Sequence, residues 1–285
     1  MRKTVNKIYP TVLALYFLFV FIFTLLISHP VAVITSTITS AVFLYAVCGN
    51  TALKKAVKVG MVLFLFSTLL TPLFVHKGLN IILYFPWGNP LTKEAIIYGF
   101  FTGLVIFSVI LWSFSFAAIM TTDKLTFVFG KFSPSVSLIL SVSLRLVPEL
   151  IEKFKEVIAL KTVNSGENRR NLGIGGIVSA TSITMTWALD NCAQTAQSMK
   201  SRGYGSKKRS TFYRYNFCRR DLFLLIVMVF FGVLVAGLYI TGKAKWNYFY
   251  GGFGFDRFSI ILCLGLLIFY INPFLIKAGD IRWRR

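Results

Sequence analysis

The chain has 285 residues, of which 56% are hydrophobic, with 29 phenylalanines and a mean hydropathy of +0.70. That composition excludes the usual mixture of a soluble domain and marks an integral membrane protein. A formal charge of +21 would raise nucleic-acid binding in a soluble protein; in a membrane protein its distribution across the bilayer has to be worked out first.

Six apolar runs follow in chain order, at 10–28, 31–49, 59–76, 95–121, 221–241 and 258–277. Each is close to or above the roughly 20 residues with which a helix crosses about 30 Å of hydrocarbon. The expected fold is all-α, a polytopic membrane protein. Arg2, Lys3 and Lys7 precede the first run as they would a secretory signal, but Ser28-His29-Pro30 offers no small-residue cleavage site and a second run follows at once. The first two runs are expected to form a retained hairpin. With a cytoplasmic amino terminus and alternating spans, the cytoplasmic segments hold 26 of the 31 Lys and Arg. The outer loops hold only Lys77, Lys93, Lys243, Lys245 and Arg257. The positive-inside rule favours that orientation, with both termini cytoplasmic. The expected organisation is four spans in 1–121, a cytoplasmic region in 122–220 and two spans in 221–285.

Residues 122–220 are too polar to span and too regular for a loop. Ser133-Pro134 predicts a helix start, with Ser as N-cap and Pro in the first turn. Pro148 is expected to kink this helix. Beyond it, Leu150, Ile151, Phe154, Val157 and Ile158 recur at helical spacing, and Glu149 and Lys153 stand an i,i+4 pair apart on the other side. After a break at 164–173, a second stripe runs through Ile174, Ile177, Thr181, Met185, Ala188, Cys192, Ala196 and Met199. Ser179, Thr186, Asp190, Gln194, Gln197 and Lys200 lie opposite. Gly203 then predicts the helix end, because glycine accepts the left-handed conformation at C′. Two long amphipathic helices result, with apolar faces available to lipid, to each other or to a partner.

Little in the chain points to catalysis. The ten Asp and Glu and two His show no nucleophile beside a base, no paired carboxylates and no metal-ligand cluster. The pattern Gly-x-x-x-x-Gly-Lys-Ser/Thr is absent, so the chain is not expected to hydrolyse ATP by itself. Cys48, Cys192, Cys218 and Cys263 are scattered without the spacing of a disulfide framework or zinc site. The spans carry few ionisable residues, and no paired broken segments mark an inverted-repeat carrier.

Residues 141–161, SVSLRLVPELIEKFKEVIALK, followed by a second amphipathic helix ending in AQSMKSRGYGSKKRSTFY at 196–213, resemble the transmembrane T component of energy-coupling factor transporters, the EcfT/CbiQ family. The likeness covers roughly residues 120–220. It implies two long coupling helices, each ending in a small-residue-Arg-Gly signature that docks into one of two ABC-type ATPase subunits. It also implies a separate substrate-binding membrane S component, for uptake of a vitamin or a transition-metal ion such as cobalt or nickel. Cofactors are expected to be none in this chain, ATP being used by the partner ATPases. Ser201-Arg202-Gly203 matches the second signature. At the first, Thr162-Val163-Asn164 stands where Ala-Arg-Gly is expected, so the charge is missing; Asn164 tolerates the left-handed region and Arg169 or Arg170 offers a substitute charge. Arg145 and Pro148 are assigned a supporting role in the first coupling helix.

These residues also have ordinary explanations. Arg is favoured near any helix C-terminus by the dipole, by about 0.3 to 1 kcal/mol, and Gly is common at C′. Arg145 suits a packing or headgroup contact. Lys207, Lys208, Arg209, Arg214, Arg219 and Arg220 precede a span, where anionic headgroups account for them, and Tyr204, Phe212, Tyr213 and Tyr215 suit a membrane interface better than RNA. No nucleic-acid partner is expected. The competing expectations are a stand-alone carrier or channel in the plasma membrane and, less well supported by the residues, a membrane enzyme.

Overall fold

A computed structural model describes residues 8–27, 29–75, 78, 80–84, 90–165, 173–205, 215, 217–240 and 257–282. Among these, nine helices and two short strands follow in chain order: α1 (Pro10–Leu26), α2 (Pro30–Cys48), α3 (Asn50–Phe74), β1 (Ile81–Tyr84), β2 (Pro90–Thr92), α4 (Lys93–Ile119), α5 (Thr122–Phe132), α6 (Pro134–Ser165), α7 (Ile174–Ser201), α8 (Arg219–Ile240) and α9 (Arg257–Arg282). The chain divides into two compact units, Met1–Lys124 with Tyr215–Arg285, and Leu125–Arg214.

The first unit is an apolar helical bundle. Prolines at the first positions of α1 and α2 start both helices, where their missing N–H is no loss. Gly49 ends α2 at φ 78°, ψ −174°, a region essentially reserved for glycine, and α3 begins at the next residue. Lys54, Lys55 and Lys58 therefore lie on the first turns of α3, ahead of the expected start at 59. Among the described residues three helices, α2, α3 and α4, are long and apolar enough to cross a membrane; α1 and the apolar stretches Asp221–Gly237 and Ile260–Asn272 are shorter.

Residues 81–84 and 90–92, expected to be loop, pair as two antiparallel strands, with Ile81 opposite Thr92, Tyr84 opposite Pro90 and an irregular register between Ile81 and Leu83. Asn80 donates from Nδ2 to Glu94 Oε1 at 2.8 Å, and Thr92 caps α4 by accepting the Ala95 N–H at 3.2 Å. At the other end of α4, buried Lys124 donates from Nζ to the Ile119 carbonyl at 3.0 Å, and burial holds its pKa below the usual lysine value.

Trp112 of α4 is the hub of the core. Its ring meets Phe43 at 5.4 Å, Tyr270 at 5.6 Å, Tyr16 at 6.3 Å and Phe17 at 6.4 Å, so one side chain joins α1, α2, α4 and α9. Polar atoms inside this apolar cluster satisfy one another, as a medium without water requires. Trp112 Nε1 donates to Ser36 Oγ at 3.3 Å. Thr24 Oγ1 shares hydrogen bonds with Ser36 Oγ at 3.4 Å and with the Tyr270 hydroxyl at 3.3 Å, and Tyr16 donates to the Tyr270 carbonyl at 3.1 Å. Among the described residues the most extensive helix–helix contact is α3 with α4, where Gly60, Gly99 and Gly103 let the chains approach.

The second unit contains most of α5 with α6 and α7. Ser137 donates to the Thr126 carbonyl at 3.0 Å and so ties α6 to α5. Helix α6 is 32 residues long and runs through Pro148 without interruption. Its expected apolar stripe is partly used: Val157 is buried, while Ile151 is half exposed. In α7 the packed row shares only Ala188 with the expected stripe. Ala180, Thr184 and Ala188, four residues apart, are buried, whereas Ile174, Ile177 and Met185 are exposed. Small side chains on that row permit close approach of helices, which larger apolar residues would prevent.

Candidate functional site

The residues singled out in the sequence fall at the ends and middle of two long helices, α6 and α7. Helix α7 ends in a complete Schellman motif: the Gly203 N–H donates to Lys200 O at 3.0 Å and the Tyr204 N–H to Met199 O at 2.9 Å. Gly203 is at φ 78°, as its C′ position demands, and an added Cβ there would meet no atom within 4 Å. Arg202, at φ −81°, is the C-cap, and Ser201 donates from Oγ to Ser198 O at 2.9 Å. Ser201, Arg202 and Gly203 are all exposed. The result is a tight turn that presents one guanidinium beyond a helix of 28 residues.

The end of α6 is built differently. Helix continues through Thr162, Val163 and Asn164 to Ser165, one residue past the expected stop. None of the described residues other than glycine has positive φ, so Asn164 stays helical instead of capping in the left-handed region. Thr162 bonds back to Ala159 O at 2.7 Å, satisfying its hydroxyl within the preceding turn. Val163 is 79% exposed, an apolar side chain in the open at this tip. Arg169 and Arg170, considered as substitute charges, lie outside the described residues, as do Lys207, Lys208, Arg209, Arg214, Phe212 and Tyr213.

In the middle of α6, Arg145 pairs with Glu149 at 3.1 Å, and the second oxygen of Glu149 accepts from Asn191 of α7 at 3.5 Å. Lys153 pairs with Glu156 at 2.9 Å, so the expected Glu149–Lys153 pair is not formed. Both partners sit one turn from Glu149 on the same side of the helix, and spacing alone does not choose between them. Arg145 and Glu149 thus form a surface link from α6 to α7 on the turn that contains Pro148. Of these packing residues the sequence stripe includes Ala188 but not Ala180, Thr184 or Asn191. The four-residue repeat of small residues was the available signal, and a search for large apolar side chains passes over it.

Among the described residues no three His, Cys, Asp or Glu side chains gather as a metal site would require. No known family model matches the chain, and no curated protein matches it.

Proposed function

We propose that this protein is the transmembrane coupling (T) component of an energy-coupling factor ABC-type transporter. In this reading two ATPase subunits dock at the ends of α6 and α7, and their ATP-driven motion passes to a substrate-binding membrane S component that takes up a vitamin or a transition-metal ion. The six spans, the cytoplasmic location of 122–220 and the plasma-membrane site with both termini inside belong to the same proposal. The chain itself then has no catalytic role and no cofactor.

The observation that carries the reading is the tip of α7. Ser201-Arg202-Gly203, the stretch resembling a coupling signature, is exposed at the end of a 28-residue helix, on a backbone turn closed by two hydrogen bonds. A charge needed only for the helix dipole contributes about 0.3 to 1 kcal/mol. One that enters a groove on a partner and pairs there loses about 3 to 5 kcal/mol when its pair is broken. The larger loss weakens association more than a hundredfold, at about 1.4 kcal/mol per factor of ten.

Co-expression with the two ATPases and the S component provides the test. Arg202→Glu is expected to abolish co-purification of the ATPases and uptake while leaving the chain inserted; Lys207→Glu should do far less. Normal complex yield and uptake by the Arg202→Glu variant would remove the coupling role from this tip. Uptake by the purified chain alone would favour a carrier instead.

A further inference from the structure

Helix α3 carries an open groove on its outer surface whose apolar floor is formed by Leu53, Val57, Met61 and Leu65, with Lys54 and Lys58 at one end. Both lysines are exposed, as is Lys55 beside them, and Met61 and Leu65 are about half exposed. No Asp or Glu occurs in the chain before Glu94, and among the described residues neither Lys54 nor Lys58 is in an ion pair. The first turn of α3 has no acidic residue, and the amino end of its dipole has the same positive sign. The i,i+4 pair Lys54 and Lys58 flanks Leu53 and Val57, and Met61 and Leu65 continue the apolar strip for roughly two turns past Lys58.

From this juxtaposition we infer that the groove binds an anionic phospholipid, its phosphate held between Lys54 and Lys58 and one acyl chain lying along Val57, Met61 and Leu65. Charge complementarity selects the headgroup. A zwitterionic lipid brings a cation of its own toward the lysines, whereas a net negative headgroup gains about a kcal/mol-scale attraction from each of them near the surface, on the order of tenfold or more in affinity for the pair. The apolar floor selects an amphiphile over a free anion. The inference rests on α3 spanning the membrane and is independent of whether the chain couples to ATPases.

The test is lipid retention by the full chain, purified in detergent and titrated separately with phosphatidylglycerol and phosphatidylcholine, with bound lipid counted by native mass spectrometry. Phosphatidylglycerol should be retained at about tenfold lower concentration. Lys54→Gln with Lys58→Gln should remove most of that preference, and Lys54→Arg with Lys58→Arg should keep it. Lys93→Gln, at the start of α4, should leave it unchanged. Met61→Gln with Leu65→Gln should weaken retention of both lipids. Inorganic phosphate or glycerophosphoglycerol at equal concentration should displace little. Equal retention of the two lipids, a preference that survives the double Gln substitution, or full displacement by the soluble anions would overturn the proposal. Unchanged helical circular dichroism and monodisperse elution establish that each variant is folded. Cysteine labelling of α3 from the two sides separately tests the span on which it rests.

Discussion

Gly203 shows how one residue type can settle the end of an element. Its φ of 78° costs an L-residue about 1 to 2 kcal/mol, while the open space around its Cβ position means that no packing term adds to that cost. Gly203→Ala should therefore destabilise the end of α7 by about 1 kcal/mol, and Gly203→Asn by less, since Asn tolerates the left-handed region. Amide hydrogen exchange at residues 203 and 204 reads this directly: both amides should exchange faster in the Ala variant, with the rest of α7 unchanged. Equal exchange in the two variants would mean that the turn is held by something other than backbone conformation. This helix end was legible because a glycine after the last periodic residue has one dominant meaning. Asn164 was not, because Asn is permitted in the left-handed region without being driven there, and the helix carries on to Ser165.

At the scale of elements, the pairing of α3 with α4 depends on which side chains are missing. A Cβ at Gly103 would meet Thr68 Oγ1 at 2.7 Å, a Phe64 ring carbon at 2.9 Å and the Phe64 carbonyl at 3.1 Å, so both a side chain and the backbone stand in the way. At Gly99 the nearest atoms are all at 3.2 Å. Gly103→Ala should force the helices apart at about 1 to 3 kcal/mol, and Gly99→Ala should cost less. Thermal denaturation in detergent should rank them in that order below the parent; the reverse order would show that α3 shifts freely and that this contact does not set the spacing. The sequence reading found α3 and α4 as apolar runs but not their mate, because hydropathy measures how much a helix avoids water and not which face meets which neighbour. The same blindness hid the α7 packing row and the hub at Trp112, whose partners Phe43 and Tyr270 lie far away in the chain. The strand pair β1–β2 escaped for another reason: each strand has only three or four residues, too few for a period to declare itself.

For the whole molecule, the contacts between α3 and α4 bear on topology. Gly60 faces Phe107, Gly103 faces Phe64 and Thr68, and Gly99 faces Pro72, so the two helices run antiparallel. A 25-residue helix is about 37 Å long, enough for the hydrocarbon core with some tilt. If α3 and α4 both span, Lys55 and Lys93 mark opposite faces of the membrane, and the chain enters α5 on the side of Lys55. Charge then decides which side that is. With alternating spans, assigning 122–220, Lys54, Lys55, Lys58 and both termini to the cytoplasm places 26 of 31 cationic residues inside, and the reverse assignment would move that excess outward against the positive-inside bias. With the native cysteines replaced, a single cysteine at Lys93 should react with an impermeant maleimide in intact cells. Cysteines at Lys55 and at Ser206 should react only after the membrane is opened. Labelling of Lys55 and Lys93 positions alike from outside would show that α3 and α4 do not both cross. A Ser206 cysteine labelled in intact cells would put the α6–α7 unit on the outer face, where it could not meet an ATP-hydrolysing partner.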